Sequence, residues 1–136
     1  IVGLGIAAGQ ALKKLPRYET TVRPLRDALE QGILASIPNT ELNGHPSQRL
    51  ANTTNITFHG IESEALLLLL DQAGIFASSG SACLADSPDP SHVIAAMKPG
   101  DAARQCVRFS FGTDSDLARA KGVVTEIQGL VRALRD

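Results

Sequence analysis

The stretch Thr53-Thr54-Asn55-Ile56-Thr57-Phe58-His59 alternates regularly between two sets of side chains. One set is Thr54, Ile56 and Phe58, and the other is Asn55, Thr57 and His59. Because successive side chains of a β-strand point to opposite sides of its sheet, this pattern predicts a half-buried strand. Such a strand needs neighbours, and the sequence on both sides supplies candidates.

A second alternating run, residues 105–111, predicts another half-buried strand. Its core-facing side chains are Val107, Phe109 and Phe111, and the opposite face carries Cys106, Arg108 and Ser110. Two shorter strands are predicted, one at residues 41–42 before the turn residues 43–47, and one in the apolar run 74–79.

Helical periodicity dominates both ends of the chain. Residues 1–37 carry apolar side chains at helical spacing; Pro16 is expected to kink or break this helix, and Pro38 to end it. Residues 117–134 repeat the pattern, behind a segment, Thr113-Asp114-Ser115-Asp116, that resembles a capping box with a shorter acid.

Five consecutive leucines, residues 66–70, predict a helix with an acidic start and a glycine stop at Gly74. Leucines in a row point all round a helix, so we expect burial on more than one side, which hints at a neighbour outside this chain. Another helical turn or two is expected at residues 92–97. This order of elements predicts an α+β fold, in which helices cover a small sheet of three to four short strands behind a long N-terminal helix.

Length and charge narrow the class of protein. The chain has 136 residues, enough for one domain, and 13 basic against 14 acidic side chains give a formal net charge of −1. This near-equality of positive and negative charge predicts neither nucleic-acid nor membrane binding. No run of residues approaches the ~20 apolar residues of a membrane span. The chain opens inside an apolar periodic pattern, without Met, so we expect a fragment or an excised domain.

Cys83 ends a run of small residues, Ser78-Ser79-Gly80-Ser81-Ala82-Cys83, and is predicted to lie in a loop. A thiol in that setting is exposed and can swing, as a nucleophile must, although a free loop thiol without function is the alternative. Cys106 falls within a predicted strand instead. A chain of this length does not need a disulfide between the two, and a reducing cytoplasm is favoured.

Two other patterns carry less chemistry. Gly3-Leu4-Gly5-Ile6-Ala7-Ala8 matches a dinucleotide-binding fingerprint, but only two residues precede it where a full strand is required, so close helix packing is the better interpretation. The histidines lack metal-ligand spacing and are expected to be structural or exposed; they are His45, His59 and His92.

Arg108 is the remaining candidate site residue. Its predicted strand position turns it away from the core, toward solvent, a carboxylate or a ligand. The pattern alone is explained equally well by an exposed arginine without function as by one that binds a ligand. The forked guanidinium nevertheless suits the carboxylate of a substrate.

Three segments resemble the C-terminal part of NifS-type cysteine desulfurases, pyridoxal-phosphate enzymes of the class V aminotransferase family. They are the run ending at Cys83, Pro90-Ser91-His92-Val93-Ile94-Ala95-Ala96-Met97 and Val107-Arg108-Phe109-Ser110-Phe111-Gly112. Residues 42–44 and 49–58 match as well, and residues 1–5 resemble the helix that joins the family's large and small domains. Residues 1–136 as a whole therefore resemble the single small domain of fold-type I enzymes, without the large cofactor-binding domain.

The resemblance implies a reaction and a setting for it. Cys83 would be the catalytic thiolate that takes sulfur from L-cysteine, leaving alanine and a persulfide, and Arg108 would bind the substrate carboxylate. The long spacer after Cys83 resembles the subgroup that supplies iron–sulfur cluster assembly. Pyridoxal phosphate, a homodimer, an iron–sulfur scaffold or other sulfur-acceptor protein, and a cytoplasmic location are implied for the full-length enzyme.

The chain departs from the family's pattern where the cofactor is concerned. The cofactor lysine and its supporting residues belong to the large domain, and none of the four lysines has their context: Lys13, Lys14, Lys98 and Lys121. We therefore expect no cofactor-binding residue and no metal ligand here, and an isolated chain that is inactive and self-associates. The alternatives are a non-enzymatic persulfide carrier that uses Cys83 and a purely structural interaction module. The acceptor protein and the choice between cysteine and selenocysteine stay open.

Overall fold

The computed structural model describes residues 1–80, 91–98 and 100–136, and it confirms the α+β prediction. The elements in chain order are α1 (Val2–Arg17), a π-helical turn (Tyr18–Val22), α2 (Arg23–Ser36), β1 (Thr40–Leu42), β2 (Thr53–Phe58), α3 (Ser63–Gln72), α4 (His92–Met97), a 3₁₀ turn (Gly100–Arg104), β3 (Cys106–Ser110) and α5 (Leu117–Arg135).

β2 is the central strand of a sheet that has the order β1-β2-β3. It pairs antiparallel with both neighbours, so that Ile56 lies opposite Leu42 on β1 and opposite Val107 on β3. The predicted strand at residues 74–79 is wrong in extent. Within the described residues only Ser78 bridges to β3, at Arg108, because it alone in that run exchanges backbone hydrogen bonds with the strand.

The main hydrophobic core lies on one face of this sheet, beneath α2, α3 and α5. Its largest fully buried side chains include Leu29, Ile33, Ile56, Phe58, Leu66, Leu70, Val107, Ile127 and Val131. The predicted inward face of β3 is confirmed, with Val107 and Phe109 buried and Phe111 partly buried. The alternation that singled out β2 and β3 therefore decides which side of the sheet the helices cover.

On the opposite face of the sheet, the described residues form a small apolar cluster at one corner. Cys106 was predicted on this face with Arg108 and Ser110, and it is fully buried there, whereas Ser110 is exposed. Ile94 of α4 and Ala103 of the 3₁₀ turn form a second small cluster with Cys106. The rest of this face has no helix over it in the described part of the chain.

Two prolines explain the irregular start of the chain. Pro16 lies inside α1, and Pro24 follows the π-helical turn closely. Neither has an N–H to donate to the preceding turn, so the helix accommodates the missing hydrogen bonds in the wider turn between them. The expected kink or break near Leu15 therefore takes the form of this π-helical turn just after Pro16, and the backbone stays helical through it. Pro38 ends α2 as predicted, since the residue before a proline, Ile37, is extended.

The leucine-rich helix α3 ends in a Schellman motif. Gly74 has φ +73°, its N–H donates to Asp71, and the N–H of Ile75 donates to Leu70. Leu66 and Leu70 are fully buried, but Leu68 is 61% exposed. Within this chain α3 is therefore buried on one side, and the expectation of burial on more than one side is not met.

α1 stands away from the core. No residue of α1 is buried, and its apolar stripe is open to solvent at Leu4, Leu12 and Leu15. Nothing lies within 4 Å of a Cβ placed at Gly3 or Gly5, so the close helix packing predicted for this segment is not formed inside the chain. Among the described residues, no helix combines the length and the apolar character needed to cross a bilayer.

The crossing of α2 and α5 gives a test of the packing. A Cβ at Gly32 would lie 2.7 Å from Cγ2 of Val124, a stiff β-branched side chain. We expect Gly32→Ala to lower the free energy of unfolding by about 1–2 kcal/mol, measured by urea denaturation, because the overpacking outweighs the better helix propensity of alanine.

Gly129→Ala is the matched control for that substitution. Gly129 lies within α5, and nothing lies within 4 Å of a Cβ placed there. The alanine should raise the free energy of unfolding by about 0.5–1 kcal/mol. Equal stabilisation by the two alanines would contradict the close approach of α2 and α5.

Candidate functional site

Arg108 lies in the middle of β3, on the side of the sheet away from the main core. Its side chain is partly buried. Among the described residues its guanidinium has no hydrogen-bond acceptor and no ion-pair partner. A partly buried cation without a protein partner is unusual, because burial of a charge is favourable only when something pairs with it.

The backbone of Arg108 is fixed by an isolated bridge to Ser78. Ser78 N–H donates to the carbonyl of Arg108 at 3.1 Å, and Arg108 N–H donates to the carbonyl of Ser78 at 2.6 Å. Both peptide groups of Arg108 therefore point toward Ser78. Opposite Asn55 on β2, Arg108 forms the non-hydrogen-bonded kind of antiparallel pair, in which side chains lie closest.

A row of polar residues crosses this face of the sheet, and we call it the polar row: Asn43, Asn55, Arg108 and Ser78. Asn43 follows β1 and is only 6% exposed. Its Nδ2 donates to Asn55 Oδ1 at 2.6 Å and to Thr57 Oγ1 at 2.9 Å, and its Oδ1 accepts from Thr57 Oγ1 at 3.0 Å. The buried amide is therefore fully used inside the protein, and it fixes the orientation of Asn55.

Sequence reasoning missed Asn43 and Asn55 as site residues. Asn43 was interpreted as turn chemistry, and Asn55 only as a polar position of an alternating strand. The available signal was the shared face: Asn55 and Arg108 both fall on the side opposite the apolar positions. The register that places them directly opposite each other could not be derived from either strand alone.

The second cysteine, Cys106, has the surroundings of a structural residue and not those of a reactive thiol. Its sulfur is fully buried, donates to the carbonyl of Ala102 at 3.0 Å and lies 3.3 Å from Thr57 Oγ1. It is a free thiol. A reactive cysteine needs access and a positive or polarising environment, and this one has an apolar cover.

Cys83, the predicted nucleophile, lies outside the described residues. The two ends of its segment are described, and they lie together: a Cβ at Gly80 would be 3.7 Å from Cβ of Ser91. Ser78 fastens the first end, because its Oγ donates to the carbonyl of Gly80 at 2.9 Å and accepts from Gly80 N–H at 3.3 Å. The segment that carries Cys83 thus starts two residues after the bridge to Arg108.

The lysines of the chain do not fit pyridoxal phosphate, the cofactor implied by the resemblance. A lysine that forms a Schiff base needs a desolvated pocket. Lys13, Lys14 and Lys121 are exposed. Lys98 is less exposed, but its Nζ lies 2.6 Å from Glu41 Oε2, in an ion pair without the alignment of a good hydrogen bond. The chemistry of that cofactor therefore has no attachment point among these lysines.

The histidines have structural surroundings, as predicted. His45 Nδ1 accepts backbone N–H groups from Ser47 and Gln48 and so holds the turn between β1 and β2. His59 lies 3.2 Å from Glu41, and His92 is exposed at the start of α4. In the described ranges no three histidine, cysteine or acidic side chains come together as metal ligands.

The hydrogen-bonding groups on this face determine which kind of ligand the site can bind. Arg108 and the outward amide of Asn55 present N–H donors at one place on the open face, and no described acidic side chain pairs with Arg108. Donors without acceptors attract an anion, and the planar guanidinium fits a carboxylate in a bidentate manner. The site is suited to bind the carboxylate of a small molecule next to the base of the Cys83 segment.

Comparison with protein families gives one match that spans most of the chain. The family model described as aminotransferase class-V matches residues 3–121. Among solved structures, a NifS-like protein from Rickettsia africae superposes with a TM-score of 0.80 at 23% identity, over 96% of this chain and 33% of that protein. A second NifS-like protein gives a TM-score of 0.76 at 21% identity. These structures share the fold.

Curated relatives are more similar in sequence. The cysteine desulfurase NifS of Azotobacter vinelandii is 47% identical over all of this chain, which corresponds to 34% of that protein. The cysteine desulfurase IscS of Methanosarcina thermophila is 48% identical over 93% of this chain and 32% of its own length. The chain thus spans about a third of the length of the curated relatives it matches.

The ion pair that occupies Lys98 predicts a pH effect. Lys98 in the first place, and then His59, lower the pKa of the Glu41 carboxyl. A lowered pKa in the folded state stabilises the protein above the ordinary pKa, and this stabilisation is lost as the pH falls through the folded-state pKa. We expect Glu41→Gln to lower the free energy of unfolding by at most about 0.5 kcal/mol at neutral pH, since Glu41 is largely exposed.

Urea unfolding of both proteins from neutral into acidic pH measures this difference, which should shrink to zero once Glu41 is protonated. The control is Glu126→Gln, because Glu126 is exposed on α5 and makes no ion pair among the described residues. A difference that grows toward acidic pH would contradict the assignment.

Proposed function

Given that the chain belongs to the aminotransferase class-V family, we propose that it forms the C-terminal small domain of a cysteine desulfurase that acts on L-cysteine. In this proposal the rest of the enzyme, a large domain outside this chain, holds pyridoxal phosphate. The small domain contributes two groups to the reaction, a cation that binds the substrate carboxylate and a thiol that accepts its sulfur.

The observation that carries the proposal is the bridge between Ser78 and Arg108. It joins the backbone of Arg108, whose partly buried guanidinium has no partner in the described part of the chain, to the segment that leads to Cys83. Cys83 is the third residue after Gly80, and three residues extend no more than ~11 Å, so the length of the chain allows the thiol to reach a small molecule bound near Arg108. Two groups with complementary tasks are therefore tethered to the same point of the sheet.

The work of Arg108 is to bind and orient the substrate. A bidentate pair between guanidinium and carboxylate fixes the amino acid in position and direction, which a single point charge does not. The site is also partly shielded from solvent by the sheet below it, so the attraction is stronger than on an open surface. Orientation matters here because the sulfur must face the incoming thiolate of Cys83.

The work of Cys83 is nucleophilic. Its thiolate attacks the sulfur of the bound cysteine, an S–S bond forms, and the carbon–sulfur bond of the substrate breaks. The electron pair of the broken bond stays on carbon, which takes up a proton, so the products are alanine and a persulfide on Cys83. The persulfide then passes its outer sulfur to an acceptor thiol by exchange.

The proposal extends to the surroundings of the domain. The exposed apolar stripe of α1 would pack against the large domain or a second subunit of a homodimer, because an apolar patch of this kind is seldom left in water. An iron–sulfur scaffold or another sulfur-acceptor protein would take the sulfur, in the cytoplasm. The curated relatives, which are named cysteine desulfurases, support the reaction to which this setting belongs.

Loss of the Cys83 thiol is the first test. In the full-length enzyme, Cys83→Ser should reduce sulfide release from L-cysteine in the presence of dithiothreitol by at least about 1000-fold, because the hydroxyl is not a comparable nucleophile. Persulfide on the protein, measured by mass spectrometry, should disappear with it.

Cys106→Ala is the matched control, since Cys106 is the buried cysteine that packs against Ile94 and Ala103. It should keep the rate of sulfide release within about twofold and lose some stability. Normal sulfide release by the Cys83→Ser enzyme would sink the proposal. Full-length protein that has no activity but accepts persulfide on Cys83 from another desulfurase would favour a carrier.

Substitution of the substrate-binding cation is the second test. Arg108→Lys keeps the charge but loses the fork, so the KM for L-cysteine should rise by about 10–100-fold, with a smaller change in kcat. Steady-state kinetics of the full-length enzyme measure both values. Arg132→Lys, at an exposed position of α5, is the control and should leave KM unchanged. A KM for Arg108→Lys equal to that of the unaltered enzyme would contradict the role.

A further inference from the structure

We propose that Asn55 is a second substrate-recognition residue, whose side-chain amide donates to the same carboxylate that Arg108 binds. This inference rests on the proposed function, because it concerns the substrate of that reaction. It assigns a role to a residue on β2, whereas the sequence motifs point only to β3 and to the segment after Ser78.

The first support is the register of the sheet. Asn55 lies directly opposite Arg108, and the backbone groups of Arg108 are used by Ser78 on the other side. The carbonyl of Asn55 likewise points away from β3, because it accepts from the N–H of Asn43 at 2.9 Å. In such a non-hydrogen-bonded pair the Cα atoms are only ~4.5 Å apart, so the two side chains share one patch of surface.

The second support is the direction in which the amide of Asn55 is held. Its Oδ1 accepts from Asn43 Nδ2 at 2.6 Å, which leaves Nδ2 of Asn55 as the free end of the side chain. Among the described residues this Nδ2 has no acceptor, and neither does the guanidinium of Arg108. Two neighbouring side chains thus offer only donors, and the ligand that satisfies both is an anion with more than one oxygen.

The third support is rigidity. Asn43 is held from both ends of its own amide by Thr57, whose Oγ1 accepts at 2.9 Å and donates at 3.0 Å. This pair is buried, and a buried amide with all its partners made has one favoured orientation. Asn55 is therefore oriented before any ligand arrives, which lowers the entropy lost on binding.

The fourth support is that the charge of Glu41, a carboxylate on the same face among the described residues, is engaged elsewhere. Glu41 lies on the same face, opposite Thr57, which is two residues along β2 from Asn55. Its charge is already engaged by Lys98 at 2.6 Å and by His59 at 3.2 Å. The negative charge of Glu41 is thus neutralised by Lys98 and His59, and the positive potential around Arg108 remains available to a substrate carboxylate.

The experiment uses Asn55→Asp and Asn55→Ala in the full-length enzyme, with KM and kcat for L-cysteine and the inhibition constant of L-alanine as readouts. Asp keeps the oxygen that accepts from Asn43 but removes the donors and adds a negative charge beside Arg108. We expect Asn55→Asp to raise KM and the inhibition constant at least about 50-fold, and Asn55→Ala about 5–20-fold, with kcat within about threefold.

Asn52→Ala is the matched control. Asn52 precedes β2, and its amide donates to the carbonyl of Phe111 at the other end of the β2–β3 ladder. It should lower the melting temperature without changing KM. A purely structural Asn55 would behave in the same way: Asn55→Ala, which adds no charge beside Arg108, would lose stability but keep the normal KM, and this outcome overturns the inference.

The Arg108→Lys variant distinguishes a failure of the role of Asn55 from a failure of the proposed function. A raised KM for Arg108→Lys together with an unchanged KM for both Asn55 variants overturns the role of Asn55 alone. An unchanged KM for Arg108→Lys overturns the carboxylate site itself, and the inference with it. Should Asn55→Ala fail to fold, an unchanged KM for Asn55→Asp still overturns the inference, because the shape of the side chain and its bond to Asn43 are retained.

Discussion

The antiparallel pairing of β2 with β3 is the interaction on which the rest of the structure depends. It places Ile56 opposite Val107 on one face and Asn55 opposite Arg108 on the other. A slip by one residue would turn Arg108 into the core and Val107 out of it, because side chains alternate along a strand. The two buried apolar residues therefore hold the register, and the position of Arg108 is a consequence of how the core packs.

The polar row shows how this face can stay uncovered and still be stable. Among the described residues, hydrogen bonding decreases along it from the edge to the middle: the buried amide of Asn43 is fully bonded, the side chain of Asn55 uses its oxygen, and Arg108 uses only its backbone. Exposure permits this, since the less satisfied groups lie closer to solvent. The donors that remain unused are therefore those that a ligand can reach.

Much of the fold could be predicted from the sequence because it depends on local patterns. Alternation located β2 and β3 and their faces, and Gly74 and Pro38 marked helix ends that depend on a single residue each. The prediction was wrong where the outcome depends on distant residues. Among the described residues, the run 74–79 makes only one bridge. The face of Cys106 was predicted correctly, but its burial by Ile94 and Ala103 was not predicted, because nothing in its own strand reveals it.

The same division holds for the candidate site. Arg108 could be identified from its strand position and from the resemblance, because both are local. Asn43 and Asn55 could not, since their importance comes from a contact between two strands and a turn. The role of Cys83 in catalysis stays a prediction, because the residue lies outside the described part of the chain.

Both ends of the segment that carries Cys83 are fastened to the sheet, and this constrains any mechanism. The bridge of Ser78 to Arg108 fixes the first end. The second end continues into α4, where Ile94 packs on Cys106 and Lys98 pairs with Glu41 of β1. Closing a loop onto two fixed points limits the positions that its middle can take. Under the proposed function, these two attachments keep the sulfur acceptor tethered close to the residues that bind the substrate.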